Sequence, residues 1–308
     1  MPKTFHPMQQ FIVKPANSLD ALGFVETMDK ARKAVAWQMT LALKGLSSPL
    51  PEAMRYATKG GKGLRAFLVL ESARIHGICP NAAAPAAAAI EAVHAYSLIH
   101  DDLPCMDDDD VRRGLPTVHR KWDEATAVLA GDALQALAFE LVSNADCPAE
   151  QRLTLITTLA QAAGARGMVG GQIADIAAET AEVPLNLDQI IALQAGKTGA
   201  LITWSAMAGP RMAGADPKSL RSYGDCLGLA FQIADDILDV IGDATKAGKR
   251  LNKDADAGKA TFVSLLGLEG AQARAKTLID QACDHLAPYG GAAQNLIDCA
   301  GFVIARES

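Results

Sequence analysis

The stretch Ile99-His100-Asp101-Asp102-Leu103-Pro104-Cys105-Met106-Asp107-Asp108-Asp109-Asp110 sets six carboxylates within ten residues. It follows an Ala-rich apolar segment and runs straight into Val111-Arg112-Arg113-Gly114. Like charges at this density oppose any compact fold unless cations sit among them, and a hard divalent cation suits packed Asp oxygens. The run therefore reads as a magnesium site at the end of a buried helix. A solvated acidic face is the plainer alternative. Its place between an apolar helix and two arginines, rather than at a chain end, favours the metal.

The neighbouring segment sets the fold class. Ala82 to Ile99 is dominated by Ala, aromatic residues make up 5% of the 308, and 50% are hydrophobic. That balance suits close-packed helices better than sheets, so the expectation is an all-α body. No repeat of solenoid or propeller period and no low-complexity linker is present, which predicts a single domain over residues 1–308. Pro85, Glu91 and His94 interrupt Ala82–Ile99, as befits a core helix rather than a membrane span. Met1 to Pro15 has no apolar stretch of signal-peptide length, so a cytoplasmic location is expected. A net charge of −6 and a pI near 5.5 argue against a nucleic-acid partner. A phosphate ligand stays open if metal and local Arg and Lys supply the positive field. The six cysteines show no C-x-x-C pair or zinc-like grouping and read as reduced thiols.

Helical periodicity runs from Ser18 to Gly45, and Asn81 is the expected cap of a helix toward Leu103, with Pro85 in its first turn and Pro104 stopping it. Trp122–Val142, Pro148–Gly164 and Ala165–Ala178 follow. Asn186 with Gln189 resembles a capping box. Asp216-Pro217 starts a helix reaching Val240, and Thr261–Leu268, Ala271–Leu286 and Ala292–Arg306 complete the set.

Several polar groups stand out against this background. In Lys59-Gly60-Gly61-Lys62-Gly63-Leu64-Arg65 a helix begins behind three glycines, with Lys62 and Arg65 three apart. Such an arrangement can cradle a diphosphate, although most Gly-rich basic loops are only turns. His94, Ser97 and Asp101 share one helix face. Alone, His94 reads as a core histidine, and its alignment with the Asp pair shifts it toward a ligand role. A break at Pro104 can fold Asp107 back toward Asp101. Gly196-Lys197-Thr198-Gly199 is no P-loop, because Ile191 stands where the first glycine belongs and no strand precedes it. Its Lys and Thr suggest polar groups aimed into a cavity, with a snorkelling Lys as the commoner alternative. A second acidic cluster, Gln232, Asp235 and Asp239, forms one stripe on an otherwise apolar helix and is again best explained by a cation. Residues 242–260 read as a basic loop beside it.

Two Asp clusters about 130 residues apart, a basic Gly-rich loop and an Arg pair around apolar helices serve a single purpose. Magnesium and cationic side chains hold a diphosphate beside an apolar pocket. The matching chemistry is departure of diphosphate to leave a carbocation. The motifs Asp101-Asp102-(four residues)-Asp107, Arg112-Arg113-Gly114, Gly61-Lys62-(x-x)-Arg65, Gly196-Lys197-Thr198-Gly199 and Phe231-Gln232-(x-x)-Asp235-Asp236-Ile237-Leu238-Asp239 resemble those of the trans-isoprenyl diphosphate synthases. The order is the family's, across most of the chain.

The resemblance implies an isoprenoid-synthase-type helical bundle around a deep cavity, usually homodimeric, with two or three Mg²⁺ ions and diphosphate substrates. It implies that Asp101, Asp107 and Asp235 are the main metal ligands, with Asp102 and Asp239 in support. Arg112, Lys197 and Lys259 would hold the allylic diphosphate, with Thr198 and Gln232 turned toward the cation. Lys62, Arg65, His94 and Arg113 would hold isopentenyl diphosphate. Gly63 and Ala66 stand where Arg and Pro are common in the family, Ala234 where a polar residue is common, and only Arg306 remains of a C-terminal basic cluster.

Ser97 and Tyr96 precede Asp101 by four and five residues, about 6 to 7.5 Å along a helix axis. Tyr96 is bulky enough to floor the cavity, and an aromatic residue there resembles bacterial farnesyl diphosphate synthases, implying a C15 product. C20 and C10 synthases, a non-catalytic synthase subunit and a class I terpene cyclase are the alternatives. A calcium-binding scaffold fits poorly, because the Asp run lacks EF-hand order.

Overall fold

The computed structural model describes residues 23–241 and 260–305. Among them the helices are α1 (Phe24–Ala42), α2 (Pro49–Ala57), α3 (Leu64–Ile75), α4 (Pro80–Asp101), α5 (Val118–Lys121), α6 (Glu124–Ser143), α7 (Ala149–Ala163), α8 (Met168–Glu179), α9 (Leu187–Gln194), α10 (Ala200–Ala213), α11 (Lys218–Ile241), α12 (Phe262–His285) and α13 (Gln294–Ala305). A π-helical turn, Ala195–Gly199, joins α9 to α10, and a 3-10 segment, Ala287–Ala293, joins α12 to α13. The all-α expectation holds with one addition: a short antiparallel ribbon of β1 (Val111–Arg112) and β2 (Leu115–Pro116).

α4 lies at the centre of the bundle. Its residues from Ala83 to Val93 are buried except for Glu91, so the helix is apolar on every side, as an interior helix must be. Small alanine side chains let α1, α3 and α6 pack against it. On the other side α11 packs between α10 and α12. Buried residues from Met28 to Val303 form one continuous apolar cluster. α4 and α6 are long and apolar enough to cross a membrane by length and composition, but they pack on each other and α4 is mostly buried.

Several boundaries differ from expectation. α4 starts at Pro80, with Cys79 at the cap and no side-chain cap bond, so Asn81 does not cap it. Proline at the first position has its φ preset for the helix and needs no donor there. Pro85 consequently lies in the second turn, where its missing N–H leaves the Asn81 carbonyl without its usual helical partner. The helix closes at Asp101 rather than Leu103, because the Leu103 N–H turns to the His100 carbonyl at 3.2 Å. α8 begins at Met168 rather than Ala165, and α12 runs through both of the segments expected there, broken only at Gly267 (φ 70°). The Asn186–Gln189 capping box forms in both directions. Ser18, residues 242–259 with Lys259, and Arg306 lie outside the described residues.

Candidate active site

Pro104 follows the end of α4 and the chain folds back at once. The Asp107 N–H donates to the Asp101 carbonyl at 2.8 Å, Asp108 N–H to Leu103 and Asp109 N–H to Asp102, both at 3.2 Å. Asp108 takes a left-handed backbone (φ 50°), which Asp tolerates better than most residues. The fold-back expected from the proline break is present. Burial, reinforced by the charge of Asp107 and opposed by Lys197 and Arg112, pushes the Asp101 carboxyl up to about 6. Asp102 is also raised to about 6, by burial, against the pull of Arg112.

The ribbon that follows carries the arginines. Val111 pairs with Pro116 and Arg112 with Leu115, leaving Arg113-Gly114 as a two-residue loop with φ of 55° and 74°. Two positive φ values in such a loop mark a type I′ turn, and glycine at its second position avoids the Cβ penalty. Arg112 Nε donates to Asp102 Oδ1 at 2.5 Å and its Nη2 to Asp109 Oδ2 at 3.4 Å. Arg113 Nη1 donates to the Lys59 carbonyl at 3.2 Å, and its guanidinium lies against Gly61, 3.1 Å from where a Cβ would be. Arg113 thus joins the glycine-rich loop that holds Lys62 and leads into α3.

Arg65 opens α3 with its Nε buried and without a hydrogen-bond partner. Burial and the charge of Arg113 lower its pKa, while Glu91 and Asp235 hold it up. Glu91 Oε1 also accepts the Ala66 N–H at 3.0 Å. Burial, then the charges of Arg65, Arg113 and Arg112, hold His94 well below the ordinary imidazole range. A neutral ring at pH 7 offers one N–H without adding a further repelling charge.

The second acidic cluster sits on α11, where Asp235 and Asp239 are one turn apart. The charge of Asp235 helps to hold the Arg65 pKa up, which puts this carboxylate near Arg65. The π-turn lies between α8 and α11. A Cβ on Gly171 would stand 2.1 Å from the Lys197 backbone nitrogen, so α8 and the π-turn touch backbone to backbone. That contact aims Lys197 Nζ at Asp175 Oδ2, 2.6 Å away. Thr198 Oγ1 donates to Gln232 Oε1 at 3.0 Å, and Gln232 Nε2 donates to Asp236 Oδ1 at 2.9 Å.

The start of α3, the C-terminal half of α4, Met106, α8 and the π-turn border a cavity of about 440 Å³, whereas Lys62, Asp107, Arg112, Arg113, Gln232, Asp235 and Asp239 are not among the side chains that line it. Arg65, His94, Asp101, Lys197 and Thr198 line its polar end, while Met168, Ile173 and Ile176 line its apolar wall. Tyr96 and Ser97 line it as well, and Tyr96 is 5% exposed. The Tyr96 ring meets His100 edge-on at 5.9 Å, and its hydroxyl, near the Gln135 side chain, makes no well-formed hydrogen bond.

The donor set is oxygen only, as Mg²⁺ prefers, and the raised Asp101 carboxyl marks a place where a cation would relieve burial and repulsion. Among the described residues no three acidic, His or Cys side chains converge closely enough to hold a metal alone. Mg²⁺ commonly takes one or two carboxylates and completes its shell with water and substrate phosphate, so two separate Asp clusters suit ions shared with a diphosphate.

Three side chains at this site escaped the sequence reading. Asp175 holds Lys197, and its signal was a lone acid one turn beyond Gly171. Glu91 holds up the pKa values of Arg65 and Arg113 by its charge, and it was the one carboxylate in the Ala-rich stretch of α4. Asp236 stood in the second acidic motif without a role of its own; it is buried and its Oδ2 accepts the Phe262 N–H at 2.8 Å, tying α11 to the start of α12.

A family model described as polyprenyl synthetase matches residues 47–288. A farnesyl diphosphate synthase of Escherichia coli K12 is 48% identical over 269 residues, covering 82% of this chain and 89% of that one. One from Haemophilus influenzae is 42% identical over 297 residues, 92% of this chain and 99% of that one. Among solved structures, an FPP/GFPP synthase from Zymomonas mobilis superposes with a TM-score of 0.83 at 44% identity, over 91% of this chain and 98% of that one. A Helicobacter pylori geranyltransferase solved with magnesium and isoprenyl diphosphate gives a TM-score of 0.79 at 34% identity, over 94% and 98%.

Proposed function

The chain belongs to the polyprenyl synthetase family, and from that premise we propose how its cavity performs prenyl transfer. The enzyme condenses isopentenyl diphosphate with dimethylallyl or geranyl diphosphate, head to tail, and the product is C15 farnesyl diphosphate. The observation that carries the mechanism is the meeting of Asp101, Lys197 and Arg65 at one end of a cavity whose other wall is apolar.

Asp101, Asp107 and Asp235 would hold Mg²⁺, with Asp102 and Asp239 in support, and Asp102 also accepts from Arg112. Bound there, the metal would supply positive charge to the leaving diphosphate. Lys197 binds the allylic diphosphate at the polar end of the cavity, with Arg112 and Lys259 as its further cationic partners, so the C1–O bond breaks with its electron pair leaving on oxygen. Thr198 and Gln232 present oxygen dipoles to the allylic cation. Lys62, Arg65, His94 and Arg113 orient isopentenyl diphosphate so that its C3=C4 double bond attacks the cation. The departed diphosphate takes the C2 proton, and a new double bond closes the reaction. Met168, Ile173 and Ile176 give the prenyl chain an apolar wall, and Tyr96 with Ser97 floors the cavity beneath the growing tail.

The chain is a single-domain, cytoplasmic homodimer in this reading. The Val128 and Leu129 side chains, 40% and 57% exposed on α6, support a subunit contact there. The test is an incubation with Mg²⁺, isopentenyl diphosphate and dimethylallyl diphosphate, with products separated by chain length. C15 prenyl diphosphate is expected, and absence of any elongated product would overturn the reading.

A further inference from the structure

The arginine ribbon is distant in sequence from the end of α2 and the glycine-rich loop that follows it, yet one bond fastens it to each. Tyr56, near the end of α2, donates its hydroxyl to the Pro116 carbonyl on β2 at 2.6 Å. Three residues on, the Lys59 carbonyl accepts from Arg113 at 3.2 Å. The Tyr56 ring is itself held. It meets Trp122 edge-on with centroids 5.3 Å apart, and Lys121 Nζ stands 4.1 Å from its centre and 5.0 Å from that of Trp122. A ribbon of two-residue strands has too few bonds to fix its own orientation. Arg113 rides on its tip in a left-handed backbone, so where its guanidinium points depends on how the ribbon is anchored.

We propose that Tyr56 is a positioning residue whose hydroxyl latches the arginine ribbon to the end of α2, beside the glycine-rich loop, bringing Arg113 to the same diphosphate as Lys62 and Arg65. The inference rests on the assignment of those three cations to isopentenyl diphosphate. Three charges from three elements must converge on one group, and rotation of the ribbon removes one charge-assisted contact. Arg112 shares the ribbon but is separately bonded to Asp102 and Asp109. Loss of the latch therefore falls on Arg113 and on the isopentenyl site, and spares the allylic site.

Tyr56→Phe keeps the ring and its contacts with Trp122 and Lys121 and removes only the hydroxyl. Steady-state kinetics of the full chain should show the KM for isopentenyl diphosphate raised about three- to tenfold, as one lost hydrogen bond implies. The allylic KM and kcat should stay within about twofold, a split that general loosening of the fold would not produce. Calorimetric titration with isopentenyl diphosphate alone, in metal-free buffer, should show binding weakened by the same factor. An unchanged KM for isopentenyl diphosphate, or an equal rise in both KM values, overturns the latch. A wild type that elongates while Tyr56→Phe shows no split leaves the proposed function standing and the latch refuted. A wild type that fails to elongate but binds isopentenyl diphosphate more tightly than Tyr56→Phe does the reverse. A wild type that neither elongates nor binds isopentenyl diphosphate overturns both.

Discussion

Asp235 and Asp236 are neighbours in the chain, but α11 turns them to different surroundings. The charge of Asp235 acts on Arg65, while both oxygens of Asp236 are taken up internally by Gln232 and the Phe262 N–H. The two positions should fail differently. Asp235→Ala should lower kcat by about 100-fold or more with little change in melting temperature, because it removes a carboxylate that would hold the cation facing the leaving diphosphate. Asp236→Ala leaves a buried N–H unpaired and should cost about 1–3 kcal/mol, seen as a lower melting temperature. Equal thermal loss in both variants would contradict this division. Sequence alone could not separate them, since adjacent carboxylates differ only in the direction that helix phase and burial impose. Cys299 offers a second test of burial. It is fully buried beside Tyr223, and burial pushes its thiol up to about 12. A thiol with an unfolded pKa of about 8.5 that rises on folding contributes stability in full below that value and loses it as pH climbs toward 12. At pH 8 iodoacetamide should therefore label exposed Cys79 and Cys105 well before Cys299, as read by mass spectrometry. Equal labelling rates would refute it.

At the level of elements, the helices were legible because their apolar faces repeat with helical period and their punctuation is strong. Asn186–Gln189 caps as its spacing implies, and Asp216 accepts the Lys218 N–H at 3.0 Å where α11 begins. The arginine ribbon was not legible: two-residue strands carry no alternation to read, and only the φ values of Arg113 and Gly114 reveal the turn. The π-turn was half legible. Its glycines marked an interruption, but the reason lies in a contact with α8 that no local pattern encodes. Gly171→Ala tests that contact. A Cβ at 2.1 Å from the Lys197 nitrogen must push two backbones apart, since no flexible side chain is there to yield. The variant should lose about 1–3 kcal/mol of stability and, because Lys197 and Thr198 move with the turn, at least about tenfold in kcat. Wild-type activity at an unchanged melting temperature would mean that the backbone contact is not needed.

Across the whole molecule, Asp101 and Tyr96 belong to α4 while the facing wall belongs to α8 and the π-turn, so the cavity's depth is set by one rigid central helix. Tyr96→Ala should deepen it and shift the product from C15 toward C20, as read by chromatography of the dephosphorylated alcohols. Unaltered product length would remove Tyr96 from its role as floor. With Tyr96 as the floor, α4 would behave as a graduated rule with its zero mark at Asp101. Successive graduations about 5.4 Å apart fall one helical turn earlier in the chain. Longer products would be selected by shifting a single bulky residue backward along this scale, with the charge-handling apparatus at the zero mark left as it stands.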